Sequence, residues 1–194
     1  MPKFHLAFCL LCLLGLATPA AASVHAKTSY NYFAISGHTA KQIYAALLAH
    51  GHVLGDADAL ASTDISLAPH PTFVATPKCR MTSLNINLTM RINLPRLRNT
   101  SALAPEVQQT WGLFAASLKT HEEHHRTLWT ACAKRLEQRV LAIGPGDCRN
   151  FVAKYGSALK AGLAQCSADN QAFDATEKIR FLGLPFIRQA TGGR

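Results

Sequence analysis

The chain has 194 residues, 48% of them hydrophobic and 16% charged, with 20 Lys and Arg against 11 Asp and Glu and a formal net charge of +9. That hydrophobic share excludes a disordered chain, and the length fits one domain with a sizeable core. The basic residues are scattered rather than gathered into a stripe with interleaved aromatics, so the charge implies no nucleic-acid partner.

Residues 1–26 read as a secretory signal peptide. Lys3 precedes an apolar run from Leu6 to Leu16, and small residues follow at Ala20-Ala21-Ala22 and at Val24-His25-Ala26, two candidate cleavage points. The run is short for a membrane span, so no stable span is expected after cleavage, and residues 27–194 are expected to form one periplasmic or secreted domain. Cys9 and Cys12 leave with the leader. Cys79, Cys132, Cys148 and Cys166 then make an even count in an oxidising compartment, which implies two disulfides in one of three pairings. No CxxC spacing points to a redox or zinc-thiolate site.

SYNYFAIS has the aromatic and β-branched content of a strand. In GHTAKQIYAALLAHG, Thr39 suits an N-cap, Ile43, Ala46, Leu47 and His50 share a face, and Gly51 suits a helix end. TDISLA and TFVAT are short strand candidates. From Arg80 to Leu94 the alternation is sustained: Thr82, Leu84, Ile86, Leu88, Met90 and Ile92 point one way, Ser83, Asn85, Asn87, Thr89 and Arg91 the other, and Pro95 is expected to end the strand. Pro105 opens a long helix whose apolar stripe is Val107, Trp111, Phe114, Leu118, Leu128, Cys132, Leu136 and Val140. Gly144 and Pro145 close it. Asp147 can cap a third helix carrying Val152, Tyr155, Leu159, Leu163 and Cys166, joined by a turn short enough to make the two helices antiparallel. Strands followed by helices indicate α+β, with an antiparallel sheet packed on the helices.

The long helix contains THEEHHRTLW. Its apolar stripe skips from Leu118 to Leu128, and the positions that fill the gap at helical spacing are His121 and His125. Residues four apart share a face, so both imidazoles project where the helix meets the core, with Glu122 at the edge of the stripe. H-E-x-x-H is the zinc-hydrolase spacing: two neutral imidazoles hold Zn2+ and the intervening carboxylate serves as general base towards the metal-activated water. A chain of this composition carries the pattern by chance about once in a hundred, so its placement on a periodic helix is the informative part. The bland alternative is a pair of half-buried core histidines hydrogen-bonded to their neighbours.

Zinc wants a third protein ligand. Leu128 and Ala131 occupy the positions at which the long metzincin pattern would need a glycine and a ligand, and no histidine follows His125. The acids further on are Asp147, Asp169, Asp174 and Glu177, of which Asp174 and Glu177 are placed beyond the third helix; His50 and His52 in AHGHV are another source. Tyr155, or a histidine of the 50–52 loop, is a candidate to polarise a substrate carbonyl. If the Arg80–Ile92 strand is a sheet edge, its free backbone groups suit an extended peptide substrate.

These segments together resemble a bacterial family of predicted secreted zinc-dependent proteases catalogued as a domain of unknown function. The resemblance is carried by YNYFAISGHTAKQI, the Cys79–Pro95 stretch ending INLPRL, the helix with Trp111 followed by HEEHH, Cys148 opening the next helix, and FDAT. It implies a zincin-like hydrolase with His121 and His125 on the metal and Glu122 as base, acting on a peptide or protein. It also implies a Cys79–Cys148 disulfide, leaving Cys132 to pair with Cys166. The family pattern continues past its aspartate to a Thr and a His-Gly; here the aspartate stands as Asp174, whereas Glu177-Lys178-Ile179-Arg180 replaces the His-Gly. Asp174 is therefore expected as third ligand, with Glu177 next. The alternative is a non-catalytic zinc-binding or scaffolding protein of the cell envelope that keeps the fold around an incomplete site.

Overall fold

A computed structural model describes residues 21–51 and 59–193. Most of the expected leader and His52 lie outside the described residues. In chain order the elements are β1 (Ala21–Ile35), α1 (Ala40–Gly51), β2 (Ser62–Val74), β3 (Arg80–Leu97), α2 (Pro105–Leu141), α3 (Cys148–Leu182) and α4 (Pro185–Thr191). The α+β class holds, with three strands and four helices among the described residues. No described helix is long and apolar enough to cross a membrane.

The sheet order is β1-β3-β2; β2 runs antiparallel to β3, but β1 runs parallel to it. The expectation of an antiparallel sheet is thus corrected to a mixed one. A parallel pair needs a long crossover between its strands, and the segment holding α1 and β2 supplies it. Alternation fixes which face of a strand is buried and is silent about the direction of its neighbour.

β3 is the central strand, not an edge, which removes it as a site for an added peptide strand. Leu84, Ile86, Leu88, Met90 and Ile92 are all 1% exposed or less, while Asn85, Asn87, Thr89 and Arg91 face solvent. Pro95 does not end it. Pairing with β2 stops at Ser62 opposite Asn93, so Pro95 has a partner strand only on the β1 side, opposite Phe33, and its missing N–H deprives no ladder bond on the other. TDISLA and TFVAT are one strand, because Pro69 and Pro71 lie two residues apart on the edge strand β2. Both nitrogens then face away from β3, and pairing continues through them.

Thr39 accepts the Gln42 N–H at its side chain (3.3 Å) and starts α1, whose Ile43 and Leu47 are fully buried. The 37-residue α2 lies on the sheet with Pro105 in its first turn. Asp147 caps α3 by accepting from Asn150 N at 3.2 Å, but the helix runs 35 residues to Leu182, far past Cys166. No glycine or proline interrupts it between Gly162 and Gly183. Its buried positions are Phe151, Gly162, Cys166 and Asn170; Val152, expected inward, is 60% exposed. The short α4, unforeseen in the sequence, buries Phe186 and Ile187.

Disulfides join Cys79 to Cys148 and Cys132 to Cys166, with Cα atoms 4.9 and 5.7 Å apart. The first ties the start of β3 to the start of α3, beside the Cys79–Gly146 bridge. The second pins α2 to α3, and closing its loop of 34 residues disfavours the unfolded chain by about 4 kcal/mol. Two hydrophobic clusters divide the core. One gathers α1, α4 and the first half of α2 around Trp111, Phe114 and Phe186; the other gathers β3, α3 and the second half of α2 around Leu88, Leu136 and Phe151. Along α2 the first ends at Leu118 and the second begins at Trp129.

Two glycines of α3 test this packing. A Cβ on Gly162 would meet Leu136 Cδ1 at 2.5 Å, whereas one on Gly156 meets nothing within 4 Å. Gly162→Val is expected to destabilise by about 1–3 kcal/mol through overpacking, and Gly156→Ala to stabilise by about 0.5–1 kcal/mol through helix propensity. Denaturant titration of the two variants checks both signs.

Candidate metal centre

The gap between the two hydrophobic clusters is where HEEHH sits, and its residues turn to the sheet on one side and to α3 on the other. Glu122 is the most enclosed, 3% exposed, and occupies the buried line of α2 rather than its edge. It turns towards the sheet, where the Thr63 hydroxyl of β2 donates to its Oε2 at 2.7 Å. Glu123 accepts from the Tyr30 hydroxyl of β1 and, at 2.5 Å, from Arg126 Nε, joining β1 to α2. The Tyr30 bond, helped by Arg126, holds the Glu123 carboxyl below the ordinary carboxylate range. His124 is exposed and stacks on Phe173 of α3 at 4.1 Å. His121 stacks on Phe173 as well, at 4.8 Å, and with His125 it faces α3.

α3 answers with residues spaced by one helical turn. Cys166 opposes Cys132, Asn170 and Asp174 oppose His125, and Asp174 and Glu177 oppose His121, so each turn back along α2 meets one turn forward along α3. Asp174 and Glu177 therefore reach the histidines from within the helix, not from a chain turning back beyond it. Asp174 Oδ1 lies 2.8 Å from His125 Nε2 and 3.2 Å from His121 Nε2, and the two Nε2 atoms are 3.1 Å apart. Among the described residues this is the one group of three or more His, Cys, Asp or Glu side chains placed to share an ion.

The hydrogen bonds around the group assign the His125 tautomer. Asn170, 8% exposed, donates its Nδ2 to the Cys166 carbonyl at 2.8 Å, which turns its Oδ1 towards His125 Nδ1, also at 2.8 Å. An amide oxygen only accepts, so His125 Nδ1 carries the proton and Nε2 of the neutral ring presents a lone pair. His121 Nδ1 is buried without a hydrogen bond and faces Glu177 Oε2, again an acceptor, at 3.6 Å. With its proton on that side, its Nε2 too is left with a lone pair. Burial, reinforced by the neighbouring His125, lowers the His121 pKa, with Asp174 and Glu177 opposing.

In that tautomer two imidazole lone pairs and a carboxylate oxygen converge with no donor among them, an arrangement that a shared cation would relieve. Ligands of a tetrahedral zinc, at about 2.0–2.1 Å from it, stand about 3.3 Å from one another. The observed 2.8, 3.1 and 3.2 Å are close to that, and two nitrogens with one oxygen form a donor set zinc accepts. The residues fit the ion. Asp174 is also the most exposed of the three, so the fourth side of the group opens to the cleft.

That cleft has a volume of about 750 Å³ and runs from the metal-ligating group towards α1 and α4. Its polar end is lined by Thr63, Glu122, Asn170 and Glu177 together with the three ligand candidates; the rest of the lining is mostly apolar, with Tyr44, Ser62 and Lys178 as its polar side chains. Burial pushes the Glu122 carboxyl above the ordinary range, against the lowering pull of the Thr63 hydroxyl. The remaining candidates lie elsewhere. Tyr155 packs edge-on against Phe73 at 5.5 Å, and His50 stacks on Phe33 at 3.8 Å; neither lines the cleft. Thr63 and Asn170 were missed at the sequence level. Asn170 had a readable signal, since it stands one turn after Cys166 and one turn before Asp174; Thr63 had none.

An α+β fold with paired histidines and an acidic residue facing an open cleft is the class these observations define. The sequence matches, over residues 30–181, the family described as bacterial protein of unknown function (DUF922), and the chain belongs to that family. The match includes His121, His125 and Asp174. Comparison with curated proteins and with solved structures finds no match.

A buried acid with a raised pKa costs stability once it ionises. For Glu122 the cost is absent below the unfolded carboxylate pKa and grows as pH rises through the raised folded value. In metal-free protein, Glu122→Gln is therefore expected to be more stable than the parent at pH 8 and no more stable at pH 4. Thermal unfolding of both proteins across that range checks the sign.

Proposed function

We propose that the protein is an exported zinc-dependent hydrolase that cuts peptide bonds, with His121, His125 and Asp174 as metal ligands and Glu122 as general base. The observation that carries this reading is the convergence of three acceptor atoms beside a buried carboxyl. When bound, zinc would polarise a carbonyl and bring the pKa of a water it holds down to about 7. The chain's own groups do the rest. Asn170 fixes the His125 ring through Nδ1, and Phe173 backs His121. Thr63 holds one oxygen of Glu122, leaving the other to accept a proton from water and pass it to the leaving amine, in a site whose burial raises the basicity of the carboxylate.

The peptide assignment rests on β2. It is an edge strand, Ser62, Thr63 and Ile65 line the cleft, and residues of the same parity as Pro69 and Pro71 turn their backbone groups outward. Thr63, Ile65 and Leu67 then offer N–H and C=O groups that no described strand pairs, beside Glu122, for an extended substrate, while the two prolines close the edge further along. This gives β2 the role expected of β3.

Export is part of the reading. Two disulfides fit an oxidising compartment. Of the two cleavage points, the earlier is favoured, because residues 23–26 pair with Asn85–Leu88 of β3 and a cut after Ala26 would strip them from the sheet. N-terminal sequencing of the exported protein is expected to begin at or before Ser23; a start at Lys27 contradicts this.

The function is tested with purified protein loaded with zinc. One zinc per chain and hydrolysis of an unfolded protein substrate are expected, with Glu122→Gln keeping the metal and losing at least about 100-fold in kcat. Asn170→Ala is expected to weaken zinc binding about 10- to 100-fold, and Asp174→Ala more. Zinc retained with no hydrolysis by the parent would leave a non-catalytic metal protein, and no stoichiometric zinc would remove both.

A further inference from the structure

The polar end of the cleft accounts for the chemistry but not for its length. Beyond Glu122 the walls become apolar: Leu118 lies one turn earlier on α2, Phe181 one turn after Glu177 on α3, Leu60 three residues before Thr63, and Ile187 comes from α4. One helical turn advances about 5.4 Å and three residues of chain span at most about 10 Å. The apolar end therefore begins one side-chain position from the polar group. Leu118 and Ile187, each 4% exposed, are backed by the Phe114–Phe186 stack, so this wall is part of the core and does not collapse into the space. A cleft of about 750 Å³ lies within the usual range for small-molecule and side-chain sites. The metal-ligating group and Glu122 fall inside the stretch shared with the family, residues 30–181, whereas Leu182 and Ile187 of the cleft lie past it.

We infer that this apolar end is the specificity pocket of the protein: it takes a large apolar side chain, leucine or phenylalanine, of an extended peptide held along Thr63–Leu67, so that the bond cut adjoins that residue. The inference rests on the peptidase reading for its substrate, and its physical basis is desolvation. Against Leu60, Leu118, Phe181 and Ile187 a serine or aspartate side chain loses water and gains no hydrogen bond, whereas a leucine side chain loses only unfavourable contact with water; the other polar side chains lining the cleft outside its metal end are Tyr44, Ser62 and Lys178.

The test uses full-length mature protein and labelled decapeptides that differ only in a central Leu, Phe, Ser or Asp. Binding to the zinc-loaded Glu122→Gln variant is read by fluorescence anisotropy and cleavage by the parent is read as kcat/KM. Leu and Phe peptides are expected to bind at least tenfold more tightly than Ser and Asp peptides and to be cut at least tenfold more efficiently, next to the apolar residue. Leu60→Trp in the Glu122→Gln background fills the pocket from its partly buried rim and is expected to abolish the preference. Ile187→Ala enlarges the pocket and is expected to shift preference from Leu to Phe, which keeps the test decisive if the tryptophan variant does not fold. Equal binding of all four peptides, or a preference unmoved by the folded variants, overturns the pocket. Selective binding that the pocket variants alter, without cleavage of any peptide by the parent, leaves the pocket standing and removes the hydrolase.

Discussion

Two imidazole nitrogens and a carboxylate oxygen held within about 3 Å of one another form the constraint around which the molecule is arranged. His125 Nε2, His121 Nε2 and Asp174 Oδ1 meet at 2.8–3.2 Å, and Asn170 draws the Nδ1 proton of His125 away from them. Polar atoms so crowded in a half-buried place cost the folded chain free energy that a shared cation would return. The fold holds them there by other means: the Cys132–Cys166 disulfide two turns away on α2, the Phe173 ring against His121, and a hydrophobic cluster on either side. Stability supplied by the core is spent at the site, a common pattern for residues that bind or react.

The arrangement also explains why one helix carries two kinds of residue at its centre. On α2 the side chains before Leu118 and after Trp129 serve two separate apolar clusters. Between them, Glu122 faces β2 and the histidines face α3, so the same turn delivers a buried carboxyl to one wall of the cleft and two imidazoles to the other. The lengths of the elements matter here. Had α3 ended near Cys166, neither Asn170 nor Asp174 would have a defined position, and the group would depend on a loop.

Much of this was legible in the sequence, for identifiable reasons. The alternation of Leu84 to Ile92 marks a buried strand face, and the Pro105 start, the Asp147 cap and the Val107 to Val140 stripe mark two helices. The His121, Glu122 and His125 constellation stood out because imidazoles interrupted that stripe, and the structure brings Asp174 to it. What escaped was non-local. Sheet order and the parallel β1–β3 pairing are set by the crossover, and no strand's own pattern records them. The continuation of β3 through Pro95 depends on where β2 stops, and Pro69 and Pro71 suggested a break because their compatibility with an outer edge shows only after the strand is placed. α3 was read short because its apolar stripe gives way after Cys166 to Asn170, Asp174 and Glu177, which are polar through facing the cleft. Glu122 was put at the stripe's edge because it stands one position round the helix from His121; the Thr63 hydroxyl that makes its burial tolerable comes from 59 residues away.

The account is tested most directly by the coordination shell itself. Zinc-edge X-ray absorption on the metal-loaded protein at neutral pH is expected to show two imidazole nitrogens at about 2.0–2.1 Å and a carboxylate oxygen at about 2.0–2.2 Å, with one imidazole lost in His125→Ala. A shell of water oxygens, or one unchanged by removing His125, would contradict it.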